Sequence, residues 1–254
     1  MVCGWILCPT VLCEFENFID KGYSTKMIYK KQNKRKEARM LAEQALKAGH
    51  PLDWFETLYT KSENKGTTIP WADMAPNPNV VEVLERDGIV GNGKLTLKVG
   101  CGLGDDAEYL SDLGFNVIAF DISPTAIRRA KQRFPDSKVL YLIEDLFTAP
   151  VEWNGIFDFV LESYTLQVLP SDLRKKAIKV ISSFVSTGGD LLIITRARDV
   201  HEKEGKMPWP LMQSEVMTFE KFGMKCMNFE DYTDNENPPI RRFRVHFQKN
   251  SNLI

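Results

Sequence analysis

Residues 95–106 read LTLKVGCGLGDD, and this stretch carries the pattern that decides the fold. Residues 95–99 predict a buried strand, and residues 106–113, which follow the glycines, predict a helix. Gly100, Gly102 and Gly104 permit a tight turn and let the backbone approach a ligand at the carboxyl end of the strand. A plain turn is the alternative for the glycines alone, but a strand, a glycine loop and a helix in this order favour a ligand site.

Strands and helices alternate along the chain that follows. We predict strands at Leu95–Val99, Asn116–Phe120, Val139–Ile143, Phe157–Leu161 and Leu191–Thr195, and helices at Asp106–Leu113, Pro124–Phe134 and Ser171–Val185. Repeated strand–helix units with apolar strands predict an α/β fold with a mainly parallel sheet covered on both faces. Two further strands, Lys225–Asp231 and Arg241–Gln248, predict an antiparallel hairpin at the end of a single domain.

Local signals set the boundaries of these elements. Ser123-Pro124 predicts an N-cap followed by proline at the first helical position, and Gly114 predicts the end of the preceding helix. Gly188-Gly189 is expected to turn the third helix back into a strand. Upstream, Glu37–Lys47 and Asn79–Arg86 predict helices. The segment between them is rich in aromatics and turn formers, and an irregular surface loop is the simplest interpretation of it.

The glycine loop discriminates between nucleotide-type ligands. A dinucleotide fingerprint would place a glycine at position 105, where Asp105 stands, and no Gly-Lys-Ser/Thr follows as in a phosphate-binding P-loop. Asp105 and Asp106 would also repel a pyrophosphate at the helix N-terminus. A phosphate-free adenosine ligand with an ammonium group suits the loop better, and S-adenosylmethionine is such a ligand.

Acidic residues follow the next two strands. Asp121 ends the second strand 17 residues after Gly104, and a carboxylate there can accept hydrogen bonds from both ribose hydroxyls. Helix capping is the alternative role for Asp121, although Ser123 already serves as a cap. Asp145 follows the third strand beside Leu146 and Phe147, so it could accept the adenine amino group while the apolar pair packs on the ring; a solvated loop acid is the alternative.

Composition narrows the partners. The 33 basic and 34 acidic residues give a formal net charge of −1, which argues against broad attraction to nucleic acid or an anionic membrane. No apolar run reaches the roughly 18 residues that suggest a transmembrane helix. The five cysteines show no C-x₂-C spacing, so we expect no metal site, free thiols and a cytoplasmic location. Residues 1–32 are expected to be an extension that the chemistry does not need.

The quoted motifs resemble those of the class I S-adenosylmethionine-dependent methyltransferases over roughly Trp54 to Gln248. Within that superfamily, the chain is most similar to the thiopurine and thiol/halide methyltransferase-like group. The resemblance is carried by Ile69–Asp73, Val99–Asp106, Phe120–Pro124 and Tyr164–Gln167. It implies a doubly wound, Rossmann-like sheet of seven strands within residues 33–254 and a lid at residues 50–80 that holds Trp54 and Trp71 over the cofactor.

The expected cofactor contacts follow from the loop, the acids and the resemblance. They are Trp54, Trp71, Gly100, Cys101, Gly102, Gly104, Asp121, Ile122, Asp145, Leu146, Phe147 and Glu162. One position departs from the family pattern. Many members carry an acid two residues before the first glycine, near the methionine ammonium, and here Lys98 stands there. A buried lysine beside a sulfonium is unfavourable unless it is paired, so either Lys98 pairs with a nearby carboxylate such as Glu162 or it weakens cofactor binding.

The acceptor is expected at the ends of the fourth and fifth strands. Tyr164, Arg198 and Asp199 are the catalytic candidates; Ser163, Gln167, Arg196 and Trp209 are further acceptor-side candidates. Each could instead be a packing residue or a surface charge. A thiol has an ordinary pKa of about 8.5 and reacts without a strong base, whereas hydroxyls and amines more often require one.

We therefore expect a small-molecule methyltransferase that slightly prefers a thiol or similarly soft acceptor. O- or N-methylation of a small metabolite is one alternative. Non-catalytic binding of S-adenosylmethionine, suggested by Lys98, is another. A nucleic-acid or protein methyltransferase is disfavoured because the chain lacks a basic channel and the Asn/Asp-Pro-Pro-aromatic tetrapeptide; Asn237-Pro238-Pro239-Ile240 lies in the late hairpin loop.

Overall fold

A seven-stranded sheet forms the centre of the molecule. The computed structural model describes residues 35–65 and 69–251, so the extension expected at residues 1–32 lies outside the described residues. The strands are β1 (Leu95–Val99), β2 (Asn116–Asp121), β3 (Leu140–Ile143), β4 (Phe157–Ser163), β5 (Val185–Arg196), β6 (Met224–Thr233) and β7 (Arg241–Lys249). Their spatial order is β3-β2-β1-β4-β5-β7-β6. The pairs from β3 to β5 are parallel, while β7 pairs antiparallel with β5 and β6, which confirms the predicted mainly parallel sheet and late hairpin.

Helices cover both faces of this sheet. They comprise α1 (35–47), α2 (Asp53–Lys65), α3 (Pro78–Arg86), α4 (Asp105–Asp112), α5 (Pro124–Arg133), α6 (Ser171–Phe184) and the short α7 (Gln213–Val216). Alternate residues of each strand point to opposite faces. Phe159 and Leu161 of β4 join the core cluster that contains residues of α3, α4 and α5. Val160 joins the second cluster, with residues of α6.

Two local predictions are confirmed and two are wrong. The Ser123 hydroxyl accepts a bond from Ala126 N, with Pro124 starting α5, and Gly114 follows the end of α4 with a φ of +84°. The Gly188-Gly189 prediction fails, because β5 already begins at Val185 and the glycines lie within it, where its register against β4 shifts. The irregular loop predicted after residue 50 also fails, since residues 53–65 form α2.

Helix α2 is held by contacts that the local sequence does not reveal. Its Glu56 carboxylate accepts hydrogen bonds from the Ser123 hydroxyl at 2.5 Å and from the Thr125 backbone N–H at 3.1 Å, so it caps α5 from outside that helix. Tyr59 of α2 packs with Leu103 of the glycine loop. These contacts place α2 over the carboxyl ends of the strands. Among the described residues, no helix has the length and apolar character needed to span a membrane.

Candidate active site

A cavity of about 420 Å³ opens above the carboxyl ends of β1 to β5. The strand order reverses between β2-β1 and β4-β5, and such a switch point is where open α/β sheets bind ligands. Its floor consists of the loops that follow the five strands, and its roof comes from α1, α2, residues 70–79 and Met207-Pro208. Under this roof, one end lies over β1–β3 and the other over β4–β5; we call them the β1 end and the β5 end.

The glycine loop borders the β1 end, and its backbone geometry excludes larger residues. Gly100 and Gly102 have φ values of +60° and +57°. A Cβ atom at Gly100 would lie 2.5 Å from the Thr165 hydroxyl, and one at Gly102 would lie 3.0 Å from the Tyr59 hydroxyl. Cys101 is buried, and its N–H donates to Phe120 O at 2.8 Å, which fastens the loop to β2. Gly104 does not line the cavity; it is the N-cap residue of α4.

Asp121 connects the glycine loop to the end of β2. Its Oδ2 accepts a 2.9 Å hydrogen bond from Gly102 N, and its Oδ1 accepts a 3.0 Å bond from Ser123 N. Each carboxylate oxygen has two lone pairs, so both can still accept a ligand hydroxyl. The carboxylate is almost fully buried but borders the cavity, and burial raises its pKa. Asp121 therefore has a structural role besides the ribose contact that its position suggests.

The loop after β3 supplies the next part of the β1 end. Asp145, Leu146 and Phe147 all line the cavity, together with Ile122 after β2. The Asp145 Oδ1 accepts a hydrogen bond from Phe147 N at 2.9 Å, which fixes a tight turn and leaves the second oxygen without a bond among the described residues. The structure thus brings together the carboxylate and the apolar pair that the sequence assigned to an adenine.

Lys98 is buried, and its partner differs from the expected one. Its side chain is 2% exposed, and its Nζ lies 3.8 Å from Oδ2 of Asp106 and donates to Val99 O at 3.0 Å. Asp106 also accepts bonds from Asn77 N and the Ser163 hydroxyl. The predicted carboxylate partner is therefore present, but it is Asp106 and not Glu162. Asp105 in turn forms a two-bond ion pair with Arg133, so both carboxylates that were expected to repel a pyrophosphate have a cation beside them.

Glu162 lies behind the cavity wall. It is fully buried at the end of β4, and its Oε1 accepts hydrogen bonds from Thr165 N at 2.7 Å and Leu166 N at 3.0 Å. Its Oε2 has no hydrogen-bond partner. Burial raises the pKa of Glu162 to about 7. The geometry shapes the turn after β4 and does not bring Glu162 to the cofactor side of the cavity, where the sequence had placed it.

The aromatic roof divides into residues that line the cavity and residues behind them. Trp71, Phe55 and Tyr59 line it, and the Trp71 indole N–H donates to the Tyr59 hydroxyl at 2.9 Å. Trp54 is buried beneath them, stacked on Phe55 with ring centroids 4.0 Å apart. Of the two tryptophans predicted to cover a cofactor, Trp71 borders the cavity and Trp54 supports the aromatics that do.

Tyr164 stands at the β5 end of the cavity. Its hydroxyl accepts a 2.9 Å hydrogen bond from the Asn79 side-chain amide, and the Arg242 guanidinium lies 4.5 Å from its ring centroid. Burial raises the pKa of Tyr164 to about 12. The backbone adopts a φ of +67° at Tyr164, which is uncommon for a residue with a side chain. Tyr164 therefore forms part of the wall in a fixed position, and its hydroxyl is a poor proton acceptor near neutral pH.

The other two catalytic candidates do not reach the cavity. The Arg198 guanidinium donates to the carbonyl oxygens of Pro210 and Glu202. Asp199 is exposed and pairs with Arg241 at 2.8 Å. Neither borders the cavity, and neither do Trp209 and His201. After β5, Ala197 pairs with Leu211 in an isolated bridge and Arg198 N donates to Leu211 O at 2.9 Å, so Arg198 and Asp199 lie beyond the end of the strand.

Several cavity residues escaped the sequence interpretation. They are Arg35, Tyr59, Asn77, Asn79, Glu236 and Arg242. The Asn77-Pro78 pair carried a readable cap signal, since Asn77 caps α3 with proline at the first helical position. Arg242 and Glu236 reach the cavity only through the pairing of β7 with β5, which aligns Arg242 with Arg196. No local pattern could have predicted that register.

Comparison with known proteins agrees with this geometry. Residues 96–189 match the family described as "Methyltransferase domain". A probable thiol methyltransferase 2 of Arabidopsis thaliana is 30% identical over 162 residues, which are 62% of this chain and 68% of that protein. A 2-heptyl-1-hydroxyquinolin-4(1H)-one methyltransferase of Mycobacteroides abscessus is 24% identical over 65% of this chain and 73% of that protein. A thiopurine S-methyltransferase of Aliivibrio fischeri is 27% identical over 61% of this chain and 78% of that protein.

Solved structures share the fold. One solved structure is described as "Conversion of a Disulfide Bond into a Thioacetal Group during Echinomycin Biosynthesis", and it superposes on this chain with a TM-score of 0.65. The two sequences are 20% identical, and the superposition covers 80% of this chain and 95% of that one. The 1,6-didemethyltoxoflavin-N1-methyltransferase of Burkholderia thailandensis superposes with a TM-score of 0.61 at 15% identity, over 77% of this chain and 87% of that one.

The sheet order and glycine loop define an S-adenosylmethionine-dependent methyltransferase. The chain belongs to the class I branch of these enzymes, as its motifs predicted.

The β1 end fits the cofactor of this family. Its glycines, where a Cβ would be strained and crowded, let the backbone approach a ligand. The carboxylate after β2 offers hydroxyl acceptors, and the acid with two apolar side chains after β3 offers a platform for a ring. S-adenosylmethionine is therefore the methyl donor, and it supplies a methyl carbon activated by a sulfonium leaving group.

Proposed function

We propose that this enzyme methylates a small molecule, with a thiol or another soft nucleophile as its preferred acceptor. The observation that carries the proposal is the β5 end of the cavity. Among the described residues that line it there is no histidine, and the hydroxyl of Tyr164 is already hydrogen-bonded, with its pKa raised to about 12. A thiol suits such a wall, because part of it ionises near neutral pH without help from a strong base.

The roles of the residues follow from their positions. We assign Gly100, Cys101, Gly102, Asp121, Ile122, Asp145, Leu146, Phe147 and Trp71 to the cofactor. Gly104, Glu162 and Trp54 support those residues from behind. Tyr164 and Arg242 form the wall against which the acceptor packs, and the roof excludes water. Positioning of this kind can lower a barrier by roughly 7–11 kcal/mol in favourable systems.

The methyl transfer balances in atoms and charge, and no side chain of the enzyme is chemically changed by it. The thiol loses its proton to solvent, and the acceptor sulfur then forms a bond to the methyl carbon. The bond from that carbon to the sulfonium breaks, and its electron pair stays on the leaving thioether. The chain's own contribution is to align the two sulfurs on opposite sides of the carbon.

A methyl-transfer screen with labelled S-adenosylmethionine tests the proposal. Small thiols, halides, phenols and amines should be compared at equal concentration, with enzyme in which Trp71 is replaced by alanine as a control for the site. We expect label in the thiol products first. Label in phenols or amines with none in thiols would overturn the acceptor preference and favour an O- or N-methyltransferase; the hydroxyquinolone named for one relative makes a hydroxylated heterocycle the second candidate.

A further inference from the structure

Arg196 lies in the wall of the cavity, and its guanidinium has no partner in the part of the chain that the structure describes. It is the last residue of β5, and its side chain lines the β5 end. Its backbone N–H donates to the Gln167 side chain at 2.8 Å. No hydrogen bond or ion pair joins its guanidinium to any residue in the described part of the chain. Its backbone position is thus fixed, while its charged group borders the cavity and is unpaired within residues 35–65 and 69–251.

The other buried arginines of this chain behave differently. Arg174 pairs with Glu204 and Glu215, Arg242 pairs with Asp234 and Glu236, and Arg244 pairs with Glu82 and Glu230. Removing a charge from water is costly unless it is paired, so these carboxylates are what the fold requires. Arg196 lacks a carboxylate partner among the described residues although its surroundings are partly buried, and it lines the cavity, where a bound anion can reach it.

The local charge has the sign that an anion would neutralise. Burial, together with the positive charges of Arg35 and Arg242, lowers the pKa of Arg196 to about 10. Glu236 lines this end and contacts both Arg35 at 3.6 Å and Arg242 at 2.7 Å, and Asp234 is a second carboxylate beside Arg242. Among the described residues, the three cations Arg35, Arg196 and Arg242 therefore face two carboxylates, and one positive charge remains in excess at this end.

The cofactor's own carboxylate is a poor explanation for this excess. The glycine loop follows β1, and β4 lies between β1 and β5. Neighbouring strands are about 4.8 Å apart, which puts Arg196 roughly 10 Å across the sheet from the loop. The β1 end has a cation of its own in Lys98, which lines the cavity there.

We propose that the methyl acceptor carries a carboxylate in addition to its nucleophilic atom, and that Arg196 binds this carboxylate. The proposal rests on the proposed function and narrows its substrate class to small acidic acceptors. A guanidinium offers two parallel N–H donors that match the two oxygens of a carboxylate, which fixes the orientation of the acceptor as well as its position. Arg196 is then a specificity-determining residue.

A matched pair of thiols tests the charge alone. We choose 4-mercaptobenzoate and 4-mercaptobenzamide, at a pH at which both aryl thiols are ionised, with the full chain and saturating S-adenosylmethionine. The wild-type enzyme should prefer the carboxylate by roughly 10- to 100-fold in kcat/KM, mostly through KM, because a charge-assisted bond is lost with the amide. Arg196→Met should abolish the preference and Arg196→Lys should restore part of it. Arg128→Met, at a surface arginine paired with Glu63, is the control and should retain it.

A binding measurement keeps this inference separate from the proposed function. Calorimetry should follow 4-(methylthio)benzoate, which cannot be methylated by the same route, binding to protein saturated with S-adenosylhomocysteine. We expect binding to the wild type and a loss of roughly 10-fold or more in Arg196→Met, even if no thiol is ever methylated. Equal binding by both proteins, or a carboxylate preference that survives in Arg196→Met, would overturn the proposal. So would a matching loss of S-adenosylhomocysteine affinity, which would assign Arg196 to the cofactor.

Discussion

Asp121 accepts a 2.9 Å hydrogen bond from the backbone N–H of Gly102, and this bond joins the end of β2 to the loop after β1. The same carboxylate accepts the Ser123 N–H through its other oxygen. A single side chain thus holds the glycine loop in shape, starts the turn into α5 and presents its remaining lone pairs to the cavity. Its effects on cofactor binding and on stability should therefore appear together.

Asp121→Ala should weaken S-adenosylhomocysteine binding by at least roughly 10-fold and should lower the melting temperature of the free protein. The alanine leaves two buried N–H groups without an acceptor, at about 1–3 kcal/mol each, and removes the hydroxyl acceptor. Asp121→Asn keeps one acceptor oxygen, so its affinity for S-adenosylhomocysteine and its melting temperature should lie between those of the wild type and Asp121→Ala. Calorimetry and melting curves measure both effects, with Asp136→Ala at an exposed acid as the control. An unchanged dissociation constant in Asp121→Ala would remove Asp121 from the cofactor site.

Trp71→Ala should raise the apparent KM for S-adenosylmethionine and lower kcat by roughly 10- to 100-fold, because a loosened roof admits water and misaligns donor and acceptor. Trp71→Phe should be milder, since it keeps an aromatic ring and loses only the bond to Tyr59. The matched control is Trp54→Phe, which alters a buried ring behind the cavity and should change the melting temperature more than the kinetics. A silent Trp71→Ala alongside a damaging Trp54→Phe would show that the lid is wrongly placed.

The elements that the sequence predicted well are those whose signals are local. Apolar strands, Ser123-Pro124 and the glycines after β1 identify themselves within a few residues, and apart from the start of β5, which lies six residues earlier than predicted, each was found within a residue or two of its expected place. The predictions that failed depended on contacts across the fold. Glu162 was named as a nearby carboxylate for the buried Lys98, but α4 brings Asp106 to it instead.

The acceptor side shows the same limit. Arg198 was chosen as a residue just beyond β5, yet the chain leaves the sheet after Arg196, and backbone carbonyls of the next loop bind the Arg198 guanidinium. Arg242, which does reach the cavity, lies 46 positions after Arg196 and arrives by antiparallel pairing of β7 with β5. The register between two strands that are far apart in the sequence depends on the packing of the whole sheet, and a short stretch of sequence does not reveal it.

Tyr164→Phe should leave the pH profile of kcat unchanged and should cost far less than the roughly 100-fold loss that removal of a general base causes. The reason is that the Tyr164 hydroxyl already accepts from Asn79, with its pKa raised to about 12. The variant should lose about 1 kcal/mol of stability, since the Asn79 amide loses the nearer of its two acceptors and keeps Asn77. Pre-steady-state and thermal measurements on both proteins check this. A 100-fold drop in kcat with a shifted pH profile would make Tyr164 a proton acceptor after all.

Glu162 should make the stability of the fold depend on pH between about 4.5 and 7. Burial raises its pKa from 4.5 to about 7 in the folded protein, so in this range the folded state holds a proton that the unfolded state has released. Stability therefore falls as the pH rises through the window and levels off above it, by an amount on the order of 3 kcal/mol if no other group compensates. Glu162→Gln keeps an oxygen for the N–H groups of Thr165 and Leu166 but cannot ionise, so its stability should not fall in this way.

Urea unfolding at several pH values should show that the difference in unfolding free energy between the wild type and Glu162→Gln shrinks toward pH 4.5 and grows toward pH 7. A constant difference across that range would mean that Glu162 keeps its charge in the folded protein, with Lys98 as the nearby cation that stabilises it.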